Sequence, residues 1–167
     1  MYDRPLTIDQ NLSMLAATPS RIAELTAGLT ASQFQLLTSP GPGEWSARDV
    51  LAHLRACSDM WGKYIIMILS KDHPTFKAMN PTTWIKQTNY LEQGFQPSLQ
   101  AFTVQRAELL AVLKPLPAEA WSRAATVTGG GKPRERTVRT YAMWLANHER
   151  SHFKQLERIA NTLRMHP

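Results

Sequence analysis

The stretch Val138-Arg139-Thr140-Tyr141-Ala142-Met143-Trp144-Leu145-Ala146-Asn147-His148-Glu149-Arg150-Ser151-His152-Phe153-Lys154-Gln155-Leu156 decides how this chain is read. Val138, Tyr141, Leu145, His148, His152, Leu156, Ile159 and Leu163 follow one another by steps of three or four residues. That spacing is one face of an α-helix. A helix is predicted from near Thr137 to about Arg164. His148 and His152 therefore occupy core positions, one turn apart on one face. Two buried imidazoles without partners would leave polar nitrogens unsatisfied, and a shared metal ion resolves that problem.

Working outward, the remaining chain also reads as helices. Ile8, Leu12, Leu15, Ile22, Leu25 and Leu29 predict a first helix, which Pro19 should kink or split. Residues 31–37 read as a short turn, and Ser39-Pro40-Gly41-Pro42-Gly43 as a break. Ser46-Ala47-Arg48-Asp49 has the form of a capping box. The helix it opens carries Val50, Leu54, Cys57, Trp61, Tyr64 or Ile65, and Ile68 on one face and should end near residues 70–72, before His73-Pro74. Asn80-Pro81 predicts another start, with a helix reaching about Gln93. Gly94 and Pro97 should interrupt it before it resumes through Leu99, Phe102, Arg106, Leu109, Leu110 and Leu113. Lys114-Pro115-Leu116-Pro117 stops it. Residues 123–128 are β-prone and precede Gly129-Gly130-Gly131, which allows a small hairpin or a loop. Residues 29–34 weakly echo residues 116–121, each before a histidine-bearing helix.

The 167 residues fit one domain spanning residues 1–167, and a 43% hydrophobic content supports a packed core. The longest apolar run, residues 64–69, is far too short to span a bilayer, so no membrane partner is expected. Residues 1–5 show no apolar leader. The single cysteine, Cys57, permits no intramolecular disulfide. A reducing, cytoplasmic location is the expectation. The net charge is +6. Its tightest group is Lys132, Arg134, Arg136 and Arg139, interrupted by Glu135. There is no long basic run and no interleaved aromatic series of the kind single-strand binders use, which argues against a nucleic-acid partner. A solvated basic surface is the plainest reading, and a pocket for an anionic small molecule is another.

The histidines carry the chemistry. His148-Glu149-Arg150-Ser151-His152 matches H-E-x-x-H, yet the zinc-protease reading fails. Gln155 and Arg158 stand where a metzincin needs glycine and histidine. Only fifteen residues follow His152, too few for the second helix of other zincins. The missing ligand should come from upstream, and His53 faces inward on its own helix, three after Val50 and four before Cys57. His53, His148 and His152 would make an open site for a divalent metal. Glu149 lies about 100° from His148 around the helix and reads as a surface residue or one standing behind the ligands. Gln155 shares the ligand face and reads as a residue near the metal or one filling a polar corner. Arg139 and Arg150 read as solvated, and Trp45, Trp61 and Trp144 as core or pocket wall. His73 and His166 are given no role.

At these residues the sequence resembles the DinB-like superfamily, which includes YfiT-like metal-dependent hydrolases. Residues 42–54, with Trp45, Ser46, Asp49, His53 and Leu54, resemble its W-S-x-x-[ED]-x-x-x-H-L segment. His148, His152 and Gln155 resemble its H-x-x-x-H segment, and residues 11–29 its first helix. The likeness is weakest over residues 70–96 and 124–136. It implies an all-α four-helix bundle with a long crossover connection, often a homodimer. It also implies zinc or nickel at His53, His148 and His152. Activities in the family include thiol-dependent transfer and a mycothiol-dependent isomerisation. A small-molecule substrate and a low-molecular-weight thiol partner are therefore expected, with hydrolysis as the other reaction type. A non-catalytic metal-binding or structural bundle is the competing class.

Overall fold

A computed structural model describes residues 5–39, 41 and 43–166. The leading segment and two prolines of the breaker cluster, Pro40 and Pro42, lie outside the described residues. In chain order the helices are α1 (Ile8–Leu25), α2 (Ala47–Ser70), α3 (Pro81–Ile85), α4 (Phe95–Leu113) and α5 (Val138–Met165). The strands are β1 (Thr75–Lys77), β2 (Ala124–Thr128) and β3 (Arg134–Thr137). The long helices α1, α2, α4 and α5 form a four-helix bundle. Both α1 and α2 pack on α4 and α5, so α1 and α2 stand at opposite corners. The connection from α2 to α4 is the long crossover and contains β1 and α3. The connection from α4 to α5 contains the β2–β3 hairpin, and β1 adds to it in parallel, in the order β1-β2-β3. No helix among the described residues is long and apolar enough to cross a membrane.

Capping sets where three of the long helices begin. Thr7 with Gln10, Ser46 with Asp49 and Thr137 with Thr140 each form a capping box, so two free backbone N–H groups are satisfied at each start. The two echoing segments both become 3-10 turns, Gln33–Gln35 and Ala118–Ser122. Each drives one aromatic ring, Phe34 or Trp121, into the core.

The core has two apolar halves. One gathers Leu15, Met60, Trp61, Ile65, Leu109, Leu113, Tyr141 and Leu145. The other gathers Ile22, Leu51, Leu54, Phe102, Leu156, Ile159 and Leu163. Along each long helix the two halves are separated by polar or proline positions: Pro19 in α1, His53 and Ser58 in α2, Arg106 in α4, and His148, Glu149 and His152 in α5.

Pro19 does not split α1 into two helices; the helix is continuous through it. A proline in a helix interior has no N–H to give the carbonyl four residues back, here that of Leu15. The freed Leu15 oxygen instead accepts from Arg106 Nη1 at 3.0 Å. The same guanidinium makes a bidentate pair with the Glu149 carboxylate, Nη1 to Oε2 at 2.9 Å and Nη2 to Oε1, and Nη2 also donates to Ser58 Oγ at 3.3 Å. The side chains of Arg106 and Glu149 are each 2% exposed. Glu149 is thus not a surface residue. Its offset from His148 aims it across the bundle at α4.

Two local expectations are corrected. The helix opened by Asn80-Pro81 stops at Ile85 instead of reaching Gln93. There Thr88 Oγ1 caps the Ile85 carbonyl at 2.7 Å, and a side chain that competes for backbone groups ends a helix with no buried residues. The chain is then held to α2, where Tyr90 bonds Asp59 and Gln93 accepts from Arg55 Nη1 at 2.6 Å. Pro97 does not interrupt α4, because it lies in the first turn, where the missing N–H has no intrahelical partner anyway. Of the alternatives left open before α5, the hairpin is the one formed, and β1 joins it although nothing in its three residues marked a strand.

Replacing Glu149 by alanine leaves Arg106 charged and buried without a counter-ion. Urea unfolding of Glu149→Ala should show a loss of about 3–5 kcal/mol. The apolar double variant Arg106→Met/Glu149→Leu should recover most of it. A single-variant loss below about 1 kcal/mol would contradict the clamp.

Candidate metal centre

The third-of-a-turn offset that sends Glu149 toward α4 sends His148 toward α2. There its ring meets His53. The two Nε2 atoms are 2.9 Å apart, a hydrogen bond in which one ring donates and the other accepts. Cys57, one turn after His53 on α2, brings Sγ to 3.6 Å from His53 Nε2 and 3.8 Å from His148 Nε2. His152 lies against both imidazoles, with ring centroids 4.8 Å from His53 and 4.4 Å from His148. The structure therefore brings all three expected histidines together. The group whose donor atoms all lie within 4.8 Å of one another is His53, Cys57 and His148. Cys57 was not singled out from sequence, although its position four after His53 on the same stripe was the available signal.

The donor set fits a metal in kind and in spacing. A tetrahedral zinc, with Zn–N near 2.0 Å and Zn–S near 2.3 Å, would hold nitrogen and sulfur donors roughly 3.6 Å apart and two nitrogens roughly 3.3 Å apart. The two sulfur–nitrogen separations match, and the nitrogen pair needs only a small outward rotation. Gln155 fixes the third ring: its Oε1 is 2.8 Å from His152 Nδ1. The amide carbonyl accepts from Nδ1–H and leaves Nε2 as the free lone pair, which is how residues behind a ligand choose its tautomer.

Burial keeps these groups neutral. Desolvation, then the neighbouring His152, lowers His53 to about 4. Desolvation, then His152 and His53, lowers His148 to about 2. Desolvation also lowers His152, with the Gln155 contact opposing it. Burial, with the Glu149 carboxylate adding to it, pushes the Cys57 thiol up to about 12. Without a cation the site thus presents unprotonated imidazoles and a protonated thiol, and a bound cation would displace that proton.

Aromatic rings wall the site. Trp45 packs on His53 at 4.9 Å and stacks on His152 at 5.9 Å, while Trp61 meets His148 edge-on at 5.2 Å. His148 and Cys57 are buried, whereas His53 and His152 are half-buried, so access is from the His53–His152 side. Arg139 donates to the Leu6 carbonyl at 3.0 Å, and Arg150 is exposed.

The model of the DinB superfamily matches residues 14–156. The chain belongs to the DinB superfamily. Its fold is also that of YfiT from Bacillus subtilis, described as a probable metal-dependent hydrolase with an unusual four-helix bundle topology. The two chains are 17% identical and superpose with a TM-score of 0.71 over 93% of this chain and 90% of that one. No curated protein matches this DinB-superfamily chain.

The lowered histidine values carry a sign. The unfolded chain binds protons near pH 6.5, where the folded chain still refuses them. Stability from the neutral imidazoles is complete above about pH 6.5 and lost as pH falls through about 4. The urea midpoint of metal-free protein should fall across that window, and His53→Asn should flatten the fall. A wild-type midpoint that does not move across the window would contradict this electrostatic picture.

Proposed function

We propose that this protein holds one divalent cation between α2 and α5 and uses it in catalysis on a small molecule. His53, His148 and Cys57 would hold the ion, with His152 beside them. The observation that carries this reading is the convergence of two imidazole Nε2 atoms and a thiol sulfur at 2.9–3.8 Å in a buried layer. Imidazole suits both zinc and nickel, and the sulfur favours zinc. A bound ion of this kind supplies Lewis-acid chemistry, suited to hydrolysis or to the transfer of a low-molecular-weight thiol. Family membership and the description of YfiT support the same class of chemistry.

The chain's own residues prepare the site. Gln155 orients His152, Trp45 and Trp61 limit water around the rings, and Glu149 is held by Arg106 and is not available as a general base. Cys57 is buried and would itself hold the ion, so it is not the nucleophile. A buried free thiol also accords with a reducing cytoplasm.

Cys57 favours a second reading. A sulfur and three imidazoles fill a zinc tetrahedron, as in structural sites. The two apolar halves and the Arg106–Glu149 clamp weigh against it, because they hold the bundle without a metal.

Elemental analysis after incubation with zinc or nickel should find about one equivalent in wild type and almost none in His53→Ala or His148→Ala. Cobalt-loaded wild type should show a near-ultraviolet thiolate-to-cobalt charge-transfer band that Cys57→Ser lacks. Chelation should leave the helical circular dichroism intact. Wild type that stays metal-free would overturn the proposal, and collapse of the helices on chelation would favour the structural site.

A further inference from the structure

Lys132, Arg134 and Arg136 read in the sequence as a solvated basic group spoiled by Glu135. The strand sorts them. Side chains alternate along β3, so Arg134 and Arg136 share one face and Glu135 takes the other. On that other face Glu135 Oε1 meets His73 Nε2 at 3.1 Å. The acid that interrupts the basic run in sequence is therefore removed from it in space.

The arginine face closes a cavity of about 360 Å³ between the hairpin, α2 and α5, a size usual for small-molecule sites. All of the charged side chains lining it are cationic: Lys132, Arg134 and Arg136. Its other walls include Trp61, Met79 and Trp144. The Arg136 guanidinium lies 4.9 Å over the Trp144 ring, which holds a cation beside a flat apolar surface. Trp61 lines the cavity and also stands edge-on to His148 at 5.2 Å, so the cavity and the histidine cluster share a wall.

The frame of the cavity is fixed. Met79 N–H donates to Tyr64 Oη at 2.9 Å, tying the segment after β1 to α2. Gly129, at φ +97°, lies so close to β1 that a Cβ there would meet Lys77 Cγ at 2.8 Å. Both the left-handed backbone and the close approach require glycine.

We propose that this cavity binds a small anion, a carboxylate or phosphate with a flat apolar body. The arginines take the anionic end, and the tryptophans take the apolar body. The anion site does not depend on the metal reading above.

The test is calorimetric titration of chelator-treated wild-type protein with 2-naphthoate, 2-naphthyl phosphate and neutral 2-naphthamide. At least one anion should bind about tenfold or more tighter than the amide, as expected for a charge-assisted hydrogen bond. Arg134→Gln/Arg136→Gln should bring that anion to the affinity of the amide, and Arg139→Gln, outside the cavity, should not. Circular dichroism checks that each variant is folded. Equal binding of amide and anions, or undiminished anion binding by the double variant, would overturn the proposal. Because the titration uses metal-free protein, it can fail while metal uptake stands, or succeed while metal uptake fails.

Discussion

A buried arginine needs a counter-charge and partners for its donors, and Arg106 finds them on every other long helix. It reaches the Leu15 carbonyl on α1, Ser58 on α2 and Glu149 on α5. The Leu15 carbonyl is free because Pro19 cannot bond it. A helix-breaking residue in α1 and a charge in the stripe of α4 are thus two halves of one solution. Together they bind opposite corners of the bundle and fix the rotation of α5 about its axis.

That rotation places the histidines. With Glu149 held toward α4, His148 is set toward α2, against His53 and Cys57. The layer between the two apolar halves therefore has a structural side and a reactive side. On the first, the Arg106 charge is matched by Glu149 and both of its terminal nitrogens are bonded. On the second, neutral nitrogens and a thiol converge at spacings that suit a cation. In H-E-x-x-H proteases the glutamate serves the metal; here the same spacing gives the glutamate to the scaffold. The pattern alone does not separate these uses, because the partner of the glutamate lies on another helix.

Much of this was legible in sequence. Apolar periodicity marked the long helices, and S-x-x-D marked the start of α2, because both signals are local. The histidine positions in the stripes of α2 and α5 were readable for the same reason. Arg106 stood in an apolar stripe as a visible anomaly, but its three acceptors are far away in sequence. Cys57 looked like a small core residue until His148 arrived from α5. Strand β1 was missed because a parallel pairing to a distant strand leaves no hairpin signal. The short α3 was overread because Thr88 and the α2 residues Arg55 and Asp59 divert the chain.

The central claim is that the reactive side of this layer holds a cation through imidazole and sulfur. X-ray absorption at the metal edge of zinc-loaded protein tests it most directly. The spectrum should show imidazole scattering from nitrogens near 2.0 Å together with one sulfur near 2.3 Å. A shell of light atoms without imidazole or sulfur would contradict it.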